Sequence, residues 1–179
     1  MTKHFYIIII CLAVNGCVNN SSNQTKTNSH QMLDNKLQDT VYVTKWLSKV
    51  ITDYVNNEDE KVADKKLQEA LTKDYYDYKI DAITLEYSNM SIEDFHNKWK
   101  SKYDTRYVGN GGFFTFVKDN GNVKVTSCRF LKNYGDTTLI FHTNVHDIRW
   151  NSDYKFDIKI IYKDNKLLID DVKELKLNK

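Results

Sequence analysis

The sequence predicts an α+β fold, with two to three N-terminal helices packed on one face of a curved antiparallel sheet of four to five strands. Three observations carry this. Apolar residues recur at helical spacing over residues 32–78. The pattern Ser91-Ile92-Glu93-Asp94 opens a further short helix as a capping box. From residue 113 onward the period drops to two, and Asn-, Asp- and Gly-rich turns separate the runs.

The first helix is expected over residues 32–54. Leu33, Leu37 and Val41 lead into Val43, Trp46, Leu47, Val50, Ile51 and Tyr54 on one stripe. Asn56-Asn57 stops it. Asn57 can cap the next helix, with Glu60 three residues on. That second helix is expected over residues 58–78, with Ala63, Leu67, Ala70, Leu71, Asp74, Tyr75 and Tyr78 on its inner face. Its outer face (Glu58, Asp59, Glu60, Lys61, Asp64, Lys65, Lys66, Glu69) mixes signs and reads as solvated surface. Residues 80–87 fit either a helical continuation or the start of an extended segment. The Ser91 helix is expected to reach about residue 102, burying Ile92, Phe95, Trp99 and Tyr103.

Strands follow over residues 113–118, 123–131, 137–150, 154–162 and 167–175. Turns fall at Asp119-Asn120-Gly121-Asn122, Asn133-Tyr134-Gly135-Asp136 and Lys163-Asp164-Asn165-Lys166, where Asn and Gly accept positive φ at little cost. The fourth run alternates Tyr154, Phe156, Ile158, Ile160 and Tyr162 against Lys155, Asp157 and Lys159. That is the pattern of a half-buried antiparallel strand. The Gly-rich stretch at residues 107–113 lacks the Gly-Lys-Ser/Thr of a phosphate loop and precedes a strand, so it reads as a turn or a mouth loop.

The N-terminus carries an address. Lys3 and His4 precede an apolar run over residues 5–14, which has signal-peptide length and falls well short of the roughly 20 residues of a membrane span. Val14-Asn15-Gly16-Cys17 follows and resembles the lipobox of bacterial lipoproteins. The resemblance implies cleavage after Gly16 and a diacylglycerol and palmitate-type acylation on Cys17. Several acyl chains, at about 0.8 kcal/mol per methylene, hold a protein at a membrane without a spanning helix. Residues 18–31 are polar and rich in Asn, Ser and Thr, a tether composition. The expected organisation is therefore a signal peptide at 1–16, the lipidated Cys and tether at 17–34, and one domain at 35–179. Val18 stands where an Asp would signal inner-membrane retention, and no acid occurs over residues 18–26. By resemblance this places the protein in the bacterial envelope, on the periplasmic face of the outer membrane.

The chain holds 26 Lys+Arg and 24 Asp+Glu, a net charge of +2. So balanced a chain has no global field to steer nucleic acid, and no nucleic-acid partner is expected. Of the three cysteines, Cys11 leaves with the signal and Cys17 takes the lipid. Cys128 is then alone, cannot form an intramolecular disulfide, and reads as a buried structural thiol.

The order of elements resembles the cone-shaped cystatin-like superfamily that includes nuclear transport factor two, ketosteroid isomerase and scytalone dehydratase. The terminal hairpin over residues 157–172, with its aliphatic-Asp-Asp close at Ile169-Asp170-Asp171, is the most family-like part. Small lipoproteins of that superfamily look closest. Enzymes of the superfamily work inside the cone with a carboxylate or His base and a Tyr or Asp oxyanion donor. The residue types are here in Tyr54, Tyr75, His142, Asp147 and Asp157, but no family catalytic motif falls on them.

His142 and His146 have the spacing of a metal pair on a helix. On a strand they stand about 13 Å apart at 3.3 Å per residue, too far for one ion. No metal or cofactor is expected. Trp46, Tyr54, Tyr75, Trp99, Phe141, His142 and Trp150 are the candidates for a pocket or interface, because such rings bury area and most keep a polar handle. The expected function is that of a non-enzymatic, envelope-anchored binding protein. It would contact the membrane through its lipid and would bind an unknown protein or a small apolar ligand. An immunity protein that neutralises a toxin is one specific form. The alternatives are an isomerase- or dehydratase-like enzyme and a structural subunit of an envelope assembly.

Overall fold

Helix α1 (Thr40–Val55) sends Val43, Leu47, Ile51, Tyr54 and Val55 into the core, a continuous stripe at helical spacing. The computed structural model describes residues 40–106, 122–134 and 137–175. The expected first turns of this helix at residues 32–39 lie outside them, as do the strand at 113–118 and most of the turn that follows it.

Helix α2 (Glu60–Ala70) starts one residue pair later than the capping-box reading placed it. Asp59 is the N-cap and accepts from Val62 N–H at 3.1 Å, while Asn57 accepts from Asp59 N–H. The helix expected over residues 58–78 is in fact two. Leu71 leaves the helical path and forms a parallel bridge with Ile169, and Thr72 N–H donates to the Ile169 carbonyl at 2.9 Å. Thr72 then caps α3 (Lys73–Thr84) by accepting from Tyr75 N–H. The break re-phases the chain, so Asp74, expected on the inner face, is exposed. Residues 80–87 resolve as the end of α3 and a 3₁₀ turn (Leu85–Tyr87).

Helix α4 (Ile92–Trp99) opens at Ser91, which accepts from Asp94 N–H and donates to its carboxylate at 2.6 Å. Phe95 and Trp99 are buried, but Ile92, in the first turn, stays 60% exposed. Tyr78 and Tyr103 stack at 4.6 Å between ring centroids, and Tyr75, Phe95 and Trp99 close around them. Three of the twelve tyrosines thus pack into this part of the core.

The sheet is an antiparallel meander in the order β1 (Val123–Tyr134), β2 (Thr138–Asp147), β3 (Ser152–Lys163), β4 (Lys166–Glu174). The helices cover one face. Leu139, Phe141, Thr143, Val145 and Asp147 alternate inward along β2, as do Phe156, Ile158 and Ile160 along β3. The architecture is α+β, as the periodicity indicated. β2 ends at Asp147 and not at Trp150. The Asp147 carboxylate accepts from Arg149 N–H at 2.9 Å and from Trp150 N–H at 3.0 Å, and Asn151 turns the chain with φ 47°. At the other end of β3, Asp164 and Asn165 both take positive φ, a two-residue hairpin turn. The β4 edge is capped by the Leu71–Thr72 corner, which protects its backbone from strand addition.

Candidate functional site

Helix α1 carries a second stripe beside its core stripe. Tyr42, Trp46 and Val50 recur every four residues, each one position before a core residue, and so face about 100° away. This stripe forms one wall of a cleft of about 540 Å³. The second wall is α2, through Lys66, Leu67, Glu69 and Ala70. The β3–β4 hairpin closes it with Tyr162, Asn165, Lys166 and Leu167. Lys49, Asp53 and Tyr54 complete the lining. Exposed apolar area comes from Val50 and the aromatic rings, while Leu67, Ala70 and Leu167 are buried beneath it. Burial, and then the carboxylates of Asp64 and Glu60, push the Tyr54 hydroxyl up to about 12, so it stays protonated throughout the physiological range. Lys49 and Asp53 pair across one helical turn at 2.7 Å.

A second cluster lies on the α3 side of β4, apart from the cleft. A bulge between Lys159 and Ile160 leaves Asp170 as an extra residue. Its carboxylate accepts from Thr72 Oγ1 at 2.9 Å and pairs with Lys159 Nζ at 2.7 Å. Burial holds the neighbouring Asp171 carboxyl above the usual range, with Asp170 adding to the effect and Lys159 and Lys79 opposing it. Burial likewise pulls Lys79 down and pushes Tyr75 well above its ordinary value, while Tyr78 rises to about 12. The cluster is a packed assembly of buried and half-buried polar groups, and none of them lines the cleft.

The far face of the sheet carries two cross-strand pairs, His142 with Asp157 and His146 with Asp153, each at 2.9 Å. Each histidine is held by a carboxylate on β3, as hydrogen-bonded strand histidines. Among the described residues no group of three His, Cys, Asp or Glu could hold a metal ion. No helix among them is long and apolar enough to cross a membrane. Cys128 is half-buried, and burial raises its thiol despite a 3.6 Å contact with Thr143 Oγ1. Such a thiol is not activated as a nucleophile.

Of the seven residues singled out from sequence, the structure brings Trp46 and Tyr54 together in the cleft. Tyr75 and Trp99 belong to the tyrosine core, where Trp99 Nε1 donates to Asp81 at 2.8 Å. Phe141 is fully buried at the sheet centre, and His142 points to the opposite face. Trp150 stands 58% exposed on the β2–β3 turn, under the Arg149 guanidinium. Gly16 and Cys17 lie outside the described residues. Sequence reasoning missed Tyr42, Tyr162, Lys66 and Lys166. The Tyr42-Trp46-Val50 spacing was a readable signal, whereas Tyr162 and Lys166 reach the cleft only through the fold.

No family model matches the chain, and neither a curated protein nor a solved structure is similar to it at a significant level.

Proposed function

We propose that this protein is a bacterial envelope lipoprotein, held by a lipid on Cys17, that works as a non-enzymatic binding protein through the α1–α2–hairpin cleft. The observation that carries the binding half is the cleft itself. Its 540 Å³ falls within the ~300–1,000 Å³ of small-ligand sites, and apolar walls with a few polar groups are the usual lining of such sites. The anchoring half rests on the apolar run at residues 5–14 and on Val14-Asn15-Gly16-Cys17. The two halves are compatible in space. Tyr42, in the first turn of α1, lines the cleft, and the chain from Cys17 to Thr40 spans at most about 80 Å when fully extended.

The test is made on the full chain in its bacterial host. Labelled palmitate should enter the wild type and be lost in Cys17→Ser. A molecule co-isolated with the protein should be retained at least about tenfold less by Trp46→Ala. Labelling that persists without Cys17, or retention indifferent to Trp46, would refute the respective half.

An acid–base enzyme is the second reading, and one observation favours it. Asp171 is a half-buried carboxyl with a raised pKa beside Tyr75 and Tyr78. It would be supported by a turnover that disappears in Asp171→Asn while the fold persists.

A further inference from the structure

The polar groups around the cleft are unequal in kind. Lys49 is already neutralised by Asp53 at 2.7 Å. Lys66 and Lys166 make no ion pair or hydrogen bond among the described residues, and the indole N–H of Trp46 makes none either. These three groups can only donate. Glu69 is the one acceptor-only group of the lining in the same condition. The unpaired charges of the lining therefore leave one net positive charge beside an apolar wall.

We infer that the cleft takes a small amphipathic monoanion, a single apolar chain or ring system ending in a carboxylate. The inference rests on the cleft being the binding site and goes further by naming what it binds. The apolar body lies along Val50 and the rings of Tyr42, Trp46 and Tyr162, which keep accessible area that it removes from water, over a floor of buried Leu67 and Leu167. The carboxylate sits toward Lys66 and Lys166, where its lone pairs accept from groups that have no acceptor among the described residues. A cationic amphiphile would set like charges together. A neutral one would gain the apolar contact alone.

The test uses the full chain in lipid nanodiscs and a photoreactive probe, dodecanoate carrying a diazirine on its chain, with the matching dodecanamide as the neutral comparator. Labelled peptides are mapped by mass spectrometry. The carboxylate is expected to label peptides of α1, α2 and the β3–β4 hairpin at least about fivefold more than the amide. Lys66→Gln with Lys166→Gln should bring its labelling down to the level of the amide. Both lysines are exposed, so this variant keeps the fold, and circular dichroism checks that it does. If the amide labels the cleft as well as the carboxylate, or the double variant labels undiminished, the choice of an anion is overturned and the cleft reading survives. If neither probe labels the cleft, the cleft reading fails and the inference fails with it.

Discussion

Replacing Thr72 with alanine removes one hydroxyl that ties α3, β4 and the turn after α4 together. Its oxygen accepts from Tyr75 N–H at 3.2 Å, and its O–H donates to Asp170 Oδ1 at 2.9 Å. The Tyr103 hydroxyl bonds to it as well. Losing an N-cap costs about 1 kcal/mol. Losing a hydrogen bond to a charged group costs about 1.5–3 kcal/mol. Asp170 keeps its pairing with Lys159, which holds the second cost at the low end of that range. The expected loss is about 2.5 kcal/mol, or about 8 °C in Tm for a domain of this size. Thr72→Ser keeps the hydroxyl and forfeits one methyl, so it should lose less than about 1 kcal/mol. Urea unfolding followed by circular dichroism measures both variants, with an unchanged m-value as the check on two-state behaviour. If alanine costs less than about 1 kcal/mol, or serine costs as much as alanine, the corner is not held by this hydroxyl.

Two further outcomes follow from the half-buried Asp171 and the buried Asp147. Because burial raises the Asp171 pKa, the folded chain takes up this proton more readily than the unfolded one. The stability it contributes is full below the ordinary value of 3.8 and is lost as pH rises through the raised folded value. Asp171→Asn should therefore be more stable than wild type at pH 7, with the difference shrinking as pH falls toward 3.8, as thermal melts across pH would record. Asp147→Ala should cost about 2–3 kcal/mol, since it strips the acceptor from two backbone N–H groups at the β2–β3 turn. Amide hydrogen exchange at Arg149 and Trp150 should rise with it, and unchanged exchange there would sink that assignment.

The sheet was readable because β3 alternates strictly, with Phe156, Ile158 and Ile160 inward, and because Asp164-Asn165 suits positive φ. The break between α2 and α3 was not. Leu67, Leu71, Tyr75 and Tyr78 keep helical spacing straight through it, and the break arises from a contact with Ile169, far along the chain. Thr72 has the side chain of an N-cap three residues before Tyr75, but unbroken apolar spacing across it hides the break. The end of β2 was missed for a related reason. Ile148 and Trp150 look like strand residues, and only the Asp147 side chain shows that a turn has begun. One wall of the cleft lay in the spacing of Tyr42, Trp46 and Val50, which merges in the sequence with the core stripe of α1. The hairpin that closes it lies more than 100 residues later, and no local pattern links the two.

The cleft is the centre of this account, and filling it is the most direct trial. Val50→Trp adds bulk on the α1 wall at a half-buried position. Native mass spectrometry of the full chain isolated from cells that produce it would compare this variant with the wild type, alongside melting curves for both. A retained small-molecule mass is expected on the wild type and absent from Val50→Trp, with the two proteins melting within a few degrees of each other. An adduct held equally by both, or none on either, would contradict it.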